Sequence, residues 1–367
     1  MCTKIVLKDK ANNIISIRTM EATINLEYAI QLIPRKYKLP LTYNKKITNL
    51  GSYSSKYAHI GIVDFKGLYG SKSAFHEGLN EKGLSISGNA FRKVCQYPLK
   101  EPEKFQHGDF DGEILINYLL SQYSNLEDVI TFFNINENKI FLDPKLEFNT
   151  CHFMISDSTG ESIVVEPLDG KFKITKNPEN VMTNAPQIEY HFMNLSNYYQ
   201  LSPYEQENKL DFKNEKISDY THMSSGTGAN GLPGGSYSMN RFVRAAFFRR
   251  TVMLDDNISN SLRAAWTIAN NFDIPFGSNR ENLNPIHQKT APDKYWIWGD
   301  NPKREVCDQA VITLVQDNLR GVIQYKDWKN QSIREINMHD YNLDSSEIVS
   351  VKVFEDQTKS VQKVFLS

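Results

Sequence analysis

The residue with the most chemistry to offer in this chain is the cysteine at position 2. The chain begins Met-Cys-Thr-Lys-Ile-Val, and a small residue after the initiator normally allows Met1 to be removed. Cys2 would then carry both a thiol and a free α-amine. An α-amine titrates near ~7.7–8.0, so it can accept the thiol proton at neutral pH. One residue would supply nucleophile and base together. The plain alternative is an incidental cysteine on a frayed terminus. Two β-rich runs weigh against that alternative. Residues 3–9 (TKIVLKD) and 14–19 (IISIRT) flank the turn cluster Lys10-Ala11-Asn12-Asn13. Such a hairpin holds Cys2 at a sheet edge and brings Arg18 and Glu21 back near it. A guanidinium lowers a thiol pKa, and a carboxylate can hold and orient an ammonium.

The other reactive residue types are arranged less suggestively. Cys95, Cys151 and Cys307 are far apart and form no C-x-x-C pair, so buried free thiols are expected and not a zinc site, redox motif or disulfide scaffold. The eight histidines include neither H-x-x-x-H nor H-E-x-x-H, so no metal is expected; His59, His76 and His152 fall in or beside strands as core histidines. No G-x-S-x-G elbow is present. The run Gly226 to Gly235 (GTGANGLPGG) lacks the Lys-Ser/Thr of a phosphate loop and contains Pro233, so it reads as a structured loop. Arg241, Arg244, Arg249 and Arg250 follow it as a basic helix run. Most of these make a solvated face, while Arg241, in the first turn after the loop, can reach a pocket. The segment 181–186 (VMTNAP) ends a strand and enters a turn. The Asn184 amide could donate there to a developing oxyanion, or serve simply as a turn residue before proline.

The elements that must position these groups follow from periodicity. Strands are predicted at 57–63, 73–77 and 83–87, the last two joined across Asn80-Glu81-Lys82-Gly83. Apolar spacing predicts helix over 112–134, broken near Ser124-Asn125. Residues 151–157 and 162–168 bracket Ser158-Thr159-Gly160 as a hairpin, with a short strand at 171–175. Helices are predicted at 187–201, 239–254 and 258–271, and a three-strand meander at 309–316, 319–326 and 331–337. Strands at both ends with helices between them fit a layered α+β sandwich, here one domain over 1–367. The stretches 202–240 and 275–305 are expected to be the most mobile. With 42 basic and 43 acidic residues the formal charge is -1, against a general nucleic-acid binder. No run of about 18 apolar residues predicts a membrane span. The start of the chain has neither the charged nor the apolar region of a secretory signal, so a cytoplasmic location is expected, or a periplasmic one if a leader has been removed.

Taken in order, these motifs resemble the choloylglycine hydrolase family, which includes conjugated bile salt hydrolases and penicillin V acylases within the N-terminal nucleophile hydrolases. The resemblance rests on Met-Cys-Thr with Arg18 and Met20, NEKGL at 80–84 and HFMISDSTGESIVVEP at 152–167. It continues through VMTNAP at 181–186, GTGANGLPGG followed by RFVRAAF at 241–247, and INMHDYNLDSSEI at 336–348. It implies a four-layer αββα sandwich and hydrolysis of a linear non-peptide amide through a thioester on Cys2. It further implies Arg18 beside the thiolate, Asn184 as oxyanion donor and Arg241 as support. The Ala90 N–H would be a second donor, with Asn89 and Met20 at the substrate. No cofactor or metal is implied, and the family's usual homotetramer is the expected assembly.

Three departures from the family pattern stand out. The carboxylate after Met20 is Glu21 where the family has Asp, one methylene longer, and a displacement of about 1 Å can cost ~10²-fold in rate. Ala90 stands where the family has Asn or Tyr, with Asn89 one place earlier, and Gly235 and Asn240 replace the usual Asp and Ser before Arg241. The acyl group is left open among bile salts, penicillin V and N-acyl homoserine lactones, with Phe65, Phe132, Phe133 and Phe141 as candidate pocket walls. The rivals are a catalytically impaired small-molecule binder on the same fold and a nucleotide binder using the glycine loop.

Overall fold

A computed structural model describes residues 1–23, 28–64, 74–145, 150–206, 225–282 and 305–354. The amino-terminal hairpin forms as its alternation requires. Strands Cys2–Lys8 and Ile14–Ala22 pair from Cys2↔Met20 to Lys8↔Ile14. Their turn is closed by the Asp9 carboxylate, which accepts from the backbone N–H of Ala11 (2.9 Å) and Asn13 (2.8 Å). Asn12 takes the left-handed conformation at φ 64°, which asparagine tolerates.

Every residue of Ile14–Ala22 is buried. A strand buried at each position needs cover on both faces, and that requirement produces the layers. Among the described residues, one antiparallel sheet has the order Val181–Met182, Cys2–Lys8, Ile14–Ala22, Glu305–Asp317, Val322–Asp327, Arg334–Asn337, with Asn279–Asn282 beside Glu305–Asp317. A second has the order Lys171–Lys176, Ser162–Leu168, Cys151–Ser156, Ser85–Ala90, Phe75–Asn80, His59–Asp64, Tyr28–Ile33, Val349–Lys352. The sheets face each other through Met20, Leu314, Ile323, Ile30, Ile60 and Leu79. Helices Ser238–Thr251 and Ile258–Asn270 cover the outer face of the first sheet; helices Leu115–Gln122 and Leu126–Ile135 lie outside the second. This is the four-layer αββα sandwich.

Helix boundaries follow local chemistry. The predicted break near Ser124-Asn125 is an N-cap: the Asn125 side chain accepts from the Asp128 N–H at 2.9 Å. Asn257 caps Ile258–Asn270 in the same way. The segment predicted as helix over 187–201 is helical at Ile188–Asn194 and continues as a 3-10 turn, Leu195–Tyr198. Much of the 202–240 and 275–305 stretches lies outside the described residues. Within the described part, the glycine loop is tied down: Arg244 Nη1 donates to the carbonyls of Pro233 (2.7 Å) and Gly235 (3.2 Å). No helix among the described residues is long and apolar enough to cross a membrane.

Candidate active site

Strand parity decides which side chains meet. Lys4 pairs with Arg18 and Cys2 with Met20, so these four share one face. That face looks at the second sheet, because Arg18 Nη2 donates to the Gly88 carbonyl (2.8 Å) and Nη1 bonds the Asn89 side chain. Thr3 faces the opposite way and accepts from Arg241 Nη1 at 2.7 Å. The same Nη1 donates to the Cys2 carbonyl (2.5 Å), and Nη2 donates to Asn184 Oδ1 (2.6 Å). Arg241 and Arg18 are both fully buried.

Asn184 is the junction. Its Oδ1 also accepts from the Cys2 nitrogen (2.8 Å), and its Nδ2 donates to the Ala90 carbonyl (2.7 Å). Its backbone is held equally firmly: its N–H donates to Ser238 Oγ (3.0 Å), while Ser238 Oγ (3.0 Å) and His191 Nε2 (2.9 Å) donate to its carbonyl. The cis Ala185-Pro186 peptide follows. A strand end pinned on both sides of its peptide presents a side-chain amide with little freedom to turn.

These groups open onto a cavity of about 380 Å³ lined by Cys2, Arg18, Met20, Glu21, Ala90, Asn184 and Arg241. Its apolar wall comes from Tyr28, Phe75, Ile116, Leu142 and Phe153. The expected aromatics are elsewhere. Phe132 and Phe133 pack in the core under the second sheet, and Phe141 packs edge-on against Phe105. Phe65 lies outside the described residues.

Two expected contacts differ in the structure. Asn89 does not line the cavity: it is fully buried behind it, where its Nδ2 donates to the Thr183 carbonyl (2.6 Å). It and Ala90 alternate across the strand, so only one can face the substrate space. Glu21 lines the cavity, but its Oε1 accepts from Thr19 Oγ1 (2.5 Å), and its backbone pairs with Met1 through N–H···O (2.9 Å) and O···H–N (2.8 Å) contacts. The Met1 amine also faces Asp308 Oδ2 at 3.8 Å. Sequence reasoning missed Asp308, Cys151 and Ser238, which depend on tertiary placement and carry no local motif.

The electrostatics are concentrated around Cys2. Burial opposes the Arg18 charge, yet Cys2, Glu77 and Glu21 hold its guanidinium above the ordinary value. Burial pushes the Arg241 guanidinium down, opposed by Glu21, Cys2 and Asp308. Burial and the nearby Cys2 push the Cys151 thiol up to about 12, which keeps it protonated and unreactive. No cluster of three or more metal-ligating side chains occurs among the described residues.

An αββα sandwich with a cysteine heading an inner strand, at the floor of a cavity shared with two buried arginines and a fixed amide, has the architecture of the N-terminal nucleophile hydrolases. Comparison with known proteins narrows the class. Residues 2–290 match the linear amide C–N hydrolases of the choloylglycine hydrolase family, and the chain belongs to that family. It is 29% identical to a bile salt hydrolase/transferase of Clostridium perfringens, over 99% of this chain and 100% of that protein. It is 30% identical to another from Lactiplantibacillus plantarum, over 95% and 96% of the two chains. A solved structure of a conjugated bile acid hydrolase from Clostridium perfringens superposes with a TM-score of 0.77 at 25% identity, covering 100% of both chains. The protein is an amidohydrolase of the bile salt hydrolase and penicillin V acylase type.

Proposed function

We propose that the mature chain, lacking Met1, cleaves amides that join a bulky apolar acyl group to a small polar amine. Conjugated bile salts are the first candidates and penicillin V-like amides the second. The observation that carries this reading is the convergence of Cys2, Arg18, Asn184 and Arg241 at one end of the cavity with the largely apolar wall. The order of candidates follows the relatives: the bile salt hydrolases match nearly the whole chain, whereas penicillin V acylase of Pectobacterium atrosepticum matches 75% of it at 25% identity.

In this mechanism the freed Cys2 amine, held by Asn184 Oδ1, takes the thiol proton. The sulfur attacks the amide carbonyl, and the Asn184 Nδ2 hydrogen not used on Ala90 donates to the oxyanion. The C–N bond breaks, and the leaving amine takes the proton from the Cys2 ammonium. Water then attacks the thioester, releasing the acid and restoring the thiol. Arg18 stabilises the thiolate, and Arg241 fixes the first residue through its carbonyl. The cavity size is within the range of small-molecule sites. The family's homotetramer is part of this reading and is open to sedimentation measurement.

The test is a hydrolysis panel on protein shown by mass spectrometry to start at Cys2. It contains glycine and taurine conjugates of bile acids, penicillin V and N-acyl homoserine lactones. Turnover of one class, abolished in Cys2→Ala, is expected. Full turnover in Cys2→Ala would remove the mechanism.

A further inference from the structure

We propose that Lys4 is a positioning residue for the nucleophile: by holding the Glu77 carboxylate it leaves the charge of Arg18 free for the Cys2 thiolate. This rests on Cys2 being the nucleophile.

A fully buried lysine is rare, and an unpaired one would be costly. Lys4 lies between the two sheets and is completely buried. All three of its ammonium hydrogens have acceptors: Glu77 Oε1 at 2.6 Å, Ser85 Oγ at 3.0 Å and Gln316 Oε1 at 3.3 Å. Burial pushes its pKa down and Glu77 opposes that shift. Glu77 also stands near Arg18, but less closely. Its Oε2 is 3.7 Å from Arg18 Nε, and neither atom has a hydrogen-bond partner. The carboxylate is therefore committed to Lys4. Arg18 spends its terminal nitrogens on neutral acceptors, Asn89 Oδ1 and the Gly88 carbonyl.

The consequence is a charge count. Lys4 and Arg18 share the Glu77 carboxylate in the same interior, and Glu21 is a second, separate anion acting on Arg18. The surplus positive charge sits on Arg18, diagonally across the hairpin from Cys2 and on the same face. Without Lys4, Glu77 would be free to close on Arg18 Nε and neutralise it. Other charged or titratable groups line the same cavity as Cys2: Glu21 on the neighbouring strand, Arg241 from the helix, Arg92, His76, Glu113 and Cys151 from the second-sheet side, Asp308, and the Met1 amine before processing. None of these is held by Lys4. Lys4 and Arg18 are cross-strand neighbours, and the Glu77 carboxylate lies against both of them.

The experiment follows alkylation of Cys2 by iodoacetamide against pH, read on the amino-terminal peptide of processed protein. Lys4→Met is expected to move the midpoint up by about one pH unit, as an opposite charge is withdrawn from the thiolate. Lys4→Arg keeps the charge and should rescue the wild-type midpoint. The double variant Lys4→Met with Glu77→Gln decides the matter. It removes both ions, leaves Arg18 unneutralised and should return to the wild-type midpoint. A double variant as alkaline as Lys4→Met, or a single variant with no shift, overturns the proposal. If Lys4→Met does not fold, the double variant is read against wild type: an unchanged midpoint is expected, and a midpoint raised by about one pH unit overturns the proposal. Alkylation needs no turnover, so this result is independent of whether the substrate panel succeeds.

Discussion

Replacing Asn184 by alanine should cost catalysis far more than binding. The Asn184 Nδ2 group has two hydrogens. One is committed to the Ala90 carbonyl at 2.7 Å, which leaves one for the developing oxyanion. Loss of a single such donor typically lowers kcat by ~10²–10³, or about 2.7–4 kcal/mol of transition-state stabilisation. A second loss is added at Oδ1, which accepts from the Cys2 nitrogen at 2.8 Å and from Arg241 Nη2 at 2.6 Å. Without it the Cys2 amine has one fewer group to orient it. The guanidinium itself should stay in place, because it keeps the Cys2 carbonyl, Thr3 Oγ1 and the Ser236 carbonyl. The stranded Nη2 donor costs about 1–3 kcal/mol of stability. Steady-state kinetics on whichever panel substrate turns over should show kcat lowered by ~10³ or more. KM should stay within about threefold, because an oxyanion contact exists only in the transition state. A kcat within about fivefold of wild type would refute the role given to this amide, and so would a raised KM with kcat unchanged.

Two further substitutions test the scaffold. Burial pushes His59 down to about 4, whereas an unfolded histidine titrates near 6.5, so the unfolded chain binds the proton first as pH falls. Stability tied to neutral His59 is intact above about pH 6.5 and drains away as pH falls towards 4, with about 2 kcal/mol lost by pH 5. Urea unfolding of His59→Phe at pH 7.5 and 5 should show a correspondingly smaller drop; equal drops in variant and wild type would contradict this. Gly61 lies opposite Gly78, and a Cβ on it would stand 2.4 Å from the Glu77 carbonyl oxygen and 2.3 Å from the Phe75 ring. Gly61→Ala should lose about 1–3 kcal/mol and raise KM by pushing Phe75 into the cavity; unchanged stability and KM would show that the strand can yield.

What could be read from the sequence follows a physical division. The Cys2 hairpin was legible because its turn chemistry and alternation are local, and a two-strand register then brings Arg18 to Cys2 without help from the rest of the chain. Arg241 was legible for a similar reason: the glycine run marks where a helix begins, and a first-turn side chain projects beyond that start. The resemblance puts both Asn89 and Ala90 at the substrate space, and only the sheet packing, which buries Asn89 and leaves Ala90 lining the cavity, separates the two. The same dependence hid Lys4, which reads as an ordinary strand lysine; only the second sheet, with Glu77 and Ser85, turns it into a buried cation. The apolar wall of the cavity gave no signal either, since Phe75, Ile116 and Phe153 come from two strands and a helix far apart in the chain. Glu21 combines both cases. Its position beside Cys2 is set by the hairpin, but its carboxylate is held by Thr19, two residues away on the same face. The longer acid at this place bonds back to its own strand instead of reaching across to the Cys2 amine.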